Sequence, residues 1–217
     1  MRLRELITEG KNHPVIVVDV QPEYSGINDG YENPVFEEII QFVTNQTGSV
    51  LMFVNAEETG VSGDTIDGIR QYWEDTLCDP DDMYDPETDE YQECDAINWS
   101  RFDIVDKGYG YFRSYMDQGV NEKHIIRLIR SMYQNKVSDI RELYETEEEL
   151  QEFFGDAYED WMPGESFSVE WTSVAQLKKF NGAYIVGGGR TECLREVELL
   201  MNAFNIKYKR IDSLVYG

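Results

Sequence analysis

The chain has little histidine and little cysteine: two histidines, His13 and His124, and three cysteines, Cys78, Cys94 and Cys193. His13 stands beside a strand start and His124 inside an amphipathic segment, so a histidine-based mechanism is disfavoured. An odd cysteine count without CxxC spacing argues against a disulfide framework and a structural zinc site, and a reducing compartment fits best. Long apolar runs are also missing. The longest, VIVVDV and SVLMFV, fall far short of the roughly 20 residues of a membrane span, and the N-terminus lacks the apolar core of a secretory signal. A cytoplasmic protein is expected. Positive charge is scarce as well: 19 basic against 43 acidic residues give a net charge of −24. A field of that sign repels phosphate backbones and anionic lipid, which argues against nucleic-acid and membrane partners.

The acidity is present in blocks. Residues 74 to 95 hold eleven Asp and Glu and no Lys or Arg, and residues 139 to 170 hold twelve against Arg141. Residues 107 to 136 and 176 to 217 are slightly basic. The blocks read as solvated insertions, near 76–100 and 138–165, on an otherwise near-neutral scaffold. DPDDMYDPETDE, residues 79 to 90, lacks the glycine and spacing of an EF-hand, so a calcium site is the weaker reading there. A halophilic setting and an acidic protein-binding surface stay open.

The 217 residues suit one α/β domain over 14–217, preceded by an amphipathic tail, 1–13, that breaks at Gly10. VIVVDV, residues 15 to 20, is a β-branched run of strand length, as in a parallel-sheet strand buried on both faces. ENPVFEEIIQFVTNQTG reads as a helix with Pro34 near its start and Gly48 past its end, and SVLMFVNA as a second buried strand. Strand, helix and strand in this rhythm predict a right-handed crossover. SGDTIDGIRQYWEDTL predicts the next helix and FDIVDK the third strand. NEKHIIRLIRSMYQ is an amphipathic helix with Ile125, Ile126, Leu128, Ile129, Met132 and Tyr133 on its apolar face. Residues 138 to 161 predict an acidic helical insertion with Leu143, Leu150, Phe153, Phe154 and Tyr158 as its apolar stripe. SFSVEW predicts an edge strand, VAQLKKF a short helix, and AYIVGG a buried strand followed by a helix from about Thr191. IKYKRIDSLVYG closes the sheet. Trp73, Trp99, Trp161 and Trp171 read as packing residues.

In an open parallel sheet the loops leaving the carboxyl ends of the strands form the functional crevice. That rule puts Asp19 and Gln21 after the first strand, Asn55 and Glu57 after the second, Lys107 after the third and Cys193 after the fourth on one rim.

These residues carry a resemblance. VIVVDVQPEY resembles the opening strand and Asp-x-Gln of the isochorismatase-like cysteine hydrolases, which include nicotinamidases and N-carbamoylsarcosine amidase. DKGYGYFRSYMD is similar to the family segment in which a catalytic lysine precedes an aromatic-bearing turn. YIVGGGRTECLREVELLMNAF is similar to its strand, glycine turn and nucleophile-bearing helix, with Gly187 six residues before Cys193. The resemblance covers about residues 14 to 211 with the acidic blocks set aside. It implies a three-layer α/β sandwich on an open, mostly parallel sheet, and a homo-oligomer. It also implies hydrolysis of an amide-like C–N bond of a small molecule through a thioester on Cys193.

The chemistry of such a triad follows from its groups. An unperturbed thiol, with a pKa of about 8.5, is only a few per cent thiolate at neutral pH and needs help to act as a nucleophile. Lys107 supplies positive charge, and a helix start at the cysteine adds to it. Asp19 takes the thiol proton and passes it to the leaving amine. Backbone N–H groups at Gly189 and Cys193 form the oxyanion hole. Gln21, Asn55, Tyr111, Phe112 and Arg190 are the candidate substrate-binding residues.

Departures from the family pattern narrow the expectation. Nicotinamidases carry Asp-x-His and a further His as metal ligands after the second strand. Here that stretch is NAEETGVSGD, without histidine, so no metal and no cofactor are expected. Arg190 and Thr191 replace the usual Thr-Asp, which places a guanidinium where it either binds a substrate carboxylate or blocks the pocket. Isochorismatases proper usually lack the cysteine, which disfavours a vinyl-ether substrate. A second resemblance lies in Ile7-Thr8-Glu9 before Gly10, which is similar to the cleavage sequence of tailed-phage prohead proteases. It implies a virion protein trimmed after Glu9. The alternative to the enzyme is a non-catalytic accessory protein on the same fold, with the acidic insertions as its docking surface.

Overall fold

β-Branched runs build the centre of a sheet. In the computed structural model, which describes residues 12–25, 34–55, 65–78, 84–85, 90–91, 96–107, 115–116, 119–144, 146–155, 169 and 171–217, the chain divides into two compact units. Residues 1–11, with the Ile7-Thr8-Glu9 motif, and Glu57, Cys94, Tyr111, Phe112, Tyr158 and Trp161 lie outside the described residues.

The first unit comprises residues 1–106, 182–188 and 209–217. Its sheet holds β1 (Val15–Val18), β2 (Val50–Val54), β5 (Phe102–Asp106), β6 (Ala183–Gly187) and β7 (Tyr208–Val215) in the order β5-β2-β1-β6-β7. Two short strands, β3 (Tyr84–Asp85) and β4 (Glu90–Tyr91), pair antiparallel apart from it. β1 runs parallel to β2, with Val15 opposite Val50, and parallel to β6, with Val15 opposite Tyr184. β2 runs parallel to β5, with Val50 opposite Phe102. Every residue of β1, β2 and β6 is buried, as their apolar runs without alternation predict. β5 has no fully buried residue: Phe102, Ile104 and Val105 are half-buried and Asp103 and Asp106 exposed, as suits an edge.

The helices of this unit are α1 (Pro22–Ser25), α2 (Pro34–Thr44) and α3 (Ile66–Leu77). Phe36, Ile39, Ile40 and Val43 of α2 and Ile69 and Trp73 of α3 join the sheet residues in one apolar core. At the edge of this core the Trp73 indole donates to Val20 O at 2.8 Å. Arg101 closes the carboxyl end of α2, donating to Val43 O at 2.9 Å and Thr44 O at 3.2 Å, and to Gly48 O at 2.9 Å. A cation there complements the helix dipole, while burial lowers the Arg101 pKa from its ordinary value. Cys78, at the C-cap of α3, is disulfide-bonded. The cysteine count argues against a disulfide framework, yet a disulfide is present at Cys78. An odd count leaves one pair beside a thiol, and the partner of Cys78 lies outside the described residues.

β1 sits where the strand order reverses, with β2 on one side and β6 on the other. Loops at such a switch point open a crevice at the carboxyl ends of the strands. Asp19 leaves β1 there, and Gly187 and Gly188 leave β6. Gly187 has φ +111, and a Cβ on it would collide with the Val18 carbonyl oxygen. The close approach of the two strand ends requires glycine.

The second unit comprises residues 107–181 and 189–208. It contains α4 (Glu122–Asn135), α5 (Glu147–Phe154), α6 (Trp171–Leu177) and α7 (Cys193–Ala203). α4 and α7 pack together. Ile125, Leu128, Ile129 and Met132 of α4 are buried, whereas Tyr133 lies 44% exposed, its ring against Trp171 and Phe204. Lys178 lies over the Tyr133 and Phe204 rings and donates to the Tyr133 hydroxyl at 2.9 Å. Arg130 closes α7 by donating to Ala203 O at 2.6 Å.

The acidic insertion is not one helix among the described residues. Asp139 and Glu142 form a capping box around a single 3₁₀ turn, Ile140–Glu142, and α5 begins separately behind the cap of Thr146. The expected edge strand SFSVEW is represented among the described residues by Val169, whose N–H donates to Ser138 O at 2.9 Å.

Candidate active site

Lys107 and Cys193 are 86 positions apart, and the fold brings them together: Lys107 Nζ lies 3.2 Å from Cys193 Sγ, with both residues half-buried. Lys107 follows directly on β5, and Cys193 opens α7. The helix begins at Cys193, two residues later than Thr191, behind Glu192 as N-cap. The thiol therefore stands in the first turn of an 11-residue helix, where unpaired first-turn N–H groups and the helix dipole both favour an anion. Cys193 is outside any disulfide. Lysine ammonium and helix start act in the same direction on the sulfur, toward thiolate.

The turn that feeds the helix is built on Gly189. Its φ is +61, and a Cβ there would lie 2.8 Å from Glu192 Cβ and 3.0 Å from Cys193 N. The Gly189 carbonyl accepts from Glu192 N at 2.7 Å and Leu194 N at 3.3 Å, which folds Gly189 to Cys193 into a tight loop. Arg190 is exposed on that loop. Behind Cys193, Arg195 donates to Glu122 of α4 at 2.6 Å and to Glu198 at 2.9 Å. Burial pulls the Arg195 pKa down, but the Glu198 hydrogen bond and the charges of Glu122 and Glu198 outweigh it and hold it above the ordinary value.

Within the first unit, Asp19 is 2% exposed and has a left-handed backbone, φ +54. Its N–H donates to Phe53 O at 2.9 Å. Gln21 is fully buried and forms a reciprocal pair with the Asn55 backbone: its amide donates to Asn55 O at 3.1 Å and accepts from Asn55 N at 2.8 Å. Gln21 thus ties the loop after β1 to the loop after β2. The Asn55 side chain turns the other way, donating to the Tyr24 hydroxyl at 3.3 Å. One residue escaped the sequence reading: Tyr216, whose hydroxyl donates to Asp19 O at 2.5 Å. A lone tyrosine beyond the last strand carries no motif that would single it out.

Among the described residues, no group of three or more His, Cys, Asp or Glu side chains is arranged to hold a metal ion. Likewise no helix among them is long and apolar enough to cross a membrane. No family model, curated protein or solved structure matches this chain.

Proposed function

We propose that the chain is an isochorismatase-like cysteine hydrolase that cleaves an amide-like C–N bond of a small molecule without a metal. The observation that carries the reading is the 3.2 Å approach of Lys107 Nζ to a thiol in the first turn of a helix. A cysteine kept only for packing has no use for an ammonium partner.

The reaction has two halves. The Cys193 thiolate attacks the substrate carbonyl carbon, and a C–S bond forms. The oxyanion is held by backbone N–H groups of the Gly189–Cys193 loop. Asp19, holding the proton it took from the Cys193 thiol, hands it to the leaving nitrogen as the C–N bond breaks. In the second half, water attacks the thioester carbon and gives its proton to Asp19. The C–S bond breaks, the acid leaves and the thiolate returns. Arg190, exposed on the loop, is suited to a carboxylate on the substrate.

The reading is tested with p-nitrophenyl acetate, an activated acyl donor that needs no particular pocket. Acetyl transfer to Cys193, followed by intact-protein mass, is expected to appear and then decay, and to be absent in Cys193→Ser. A wild-type protein that forms no such adduct overturns the reading.

A further inference from the structure

We infer that Tyr216 is a positioning residue: its hydroxyl fixes the turn that carries Asp19 and so aims the carboxylate used in proton transfer. The inference rests on the hydrolase reading for the role of Asp19, but the geometry stands apart from it. Asp19 has φ +54, a conformation that disfavours L-residues and persists where the surroundings hold it. Two hydrogen bonds clamp this one peptide position. Asp19 N–H donates to Phe53 O at 2.9 Å, and Asp19 O accepts from the Tyr216 hydroxyl at 2.5 Å.

The tyrosine is itself held from three sides. Its N–H donates to Gly187 O at 3.2 Å. Its ring lies against Phe36, centroids 4.7 Å apart and inclined at 47°. Its hydroxyl end lies over Gly188, where a Cβ would overlap the phenol. The two residues are 197 positions apart in sequence. Gly188 is thus bare because the phenol needs its space, and the phenol needs that space to reach the Asp19 carbonyl.

Tyr216→Phe keeps the ring and removes the hydroxyl; Gly188→Ala keeps the hydroxyl and pushes the ring aside. Two measurements separate the geometry from the chemistry. Amide hydrogen exchange at Asp19 is expected to quicken about fivefold in Tyr216→Phe, as the loss of one net hydrogen bond allows, and to quicken in Gly188→Ala as well. Unchanged exchange in both variants overturns the inference whatever the protein's activity.

The chemistry is read from the acetyl–Cys193 adduct formed with p-nitrophenyl acetate. Its formation starts from a thiolate that the Lys107 contact already favours and expels a good leaving group that needs no acid, whereas its hydrolysis needs a base for water. In Tyr216→Phe, formation is expected to keep its rate and hydrolysis to slow by about fivefold. Combined with Asp19→Asn, it is expected to add nothing further. Equal slowing of both steps, or a multiplicative effect in the double variant, shows Tyr216 acting apart from Asp19 and overturns the inference. If Asp19→Asn alone leaves hydrolysis unchanged, the proton-transfer reading fails, and the catalytic half of the inference with it. The exchange result then still decides whether Tyr216 holds the turn.

Discussion

Arg195 donates to Glu122 across the α4–α7 contact at 2.6 Å, and to Glu198 on its own helix at 2.9 Å. The Glu198 side chain is only 4% exposed, and the guanidinium offsets part of the cost of burying its charge. Removing one partner of such a pair leaves an uncompensated charge. Arg195→Met, which keeps most of the apolar stem, is expected to lower unfolding stability by about 2 kcal/mol, less than the roughly 3–5 kcal/mol of a fully buried pair. Urea denaturation measures it. A loss within experimental error would show that Glu198 is served by other partners.

Gln21 links the loops after β1 and β2 through both ends of its amide. Gln21→Ala is expected to cost about 1–2 kcal/mol, because it removes the partner of a part-buried donor and acceptor on Asn55 at once. The same denaturation measurement applies. A residue kept only for substrate would change turnover and leave the unfolding midpoint where it is.

The Asp139–Arg141 pair gives a pH signature. The side-chain hydrogen bond from Arg141 lowers the Asp139 pKa most; burial opposes it, and the Arg141 backbone N–H and charge reinforce it. A carboxyl whose folded pKa is depressed contributes stability above its unfolded pKa, about 4, and loses it as the pH falls through the folded value. Asn caps a helix as well as Asp does, so Asp139→Asn removes the charge and keeps the cap. The wild type is expected to be the more stable of the two at neutral pH, with the difference closing below about pH 4. Thermal midpoints across that range check it, and a difference that does not vary with pH contradicts it.

Several parts of this architecture are legible in the sequence because they are local. The unbroken runs of β1, β2 and β6 announce strands buried on both faces, and the periodicity of residues 121 to 134 announces α4. Asp-x-x-Glu at Asp139 and Thr-x-x-Glu at Thr146 are also local signals, for two separate helix starts within the acidic helical insertion. What the sequence does not display is pairing at a distance. Arg195 with Glu122, Arg101 with the end of α2, and Tyr216 with Asp19 join side chains to partners between 57 and 197 positions away. Neither periodicity nor spacing encodes these. The disulfide at Cys78 belongs with them, since cysteine parity says nothing of which thiols meet. Of the candidate site, motif order pointed to Lys107 and Cys193, and the fold joins them.

The most direct test of the central claim is the pH dependence of iodoacetamide labelling at Cys193, read on the Cys193 peptide by mass spectrometry. With Lys107 Nζ 3.2 Å from the sulfur and the thiol at a helix start, the wild type is expected to label rapidly below about pH 7. In Lys107→Ala that reactivity is expected to move to higher pH by one unit or more, about tenfold slower labelling at neutral pH. Slow labelling that rises only near the ordinary thiol range, and is the same in both proteins, contradicts the account.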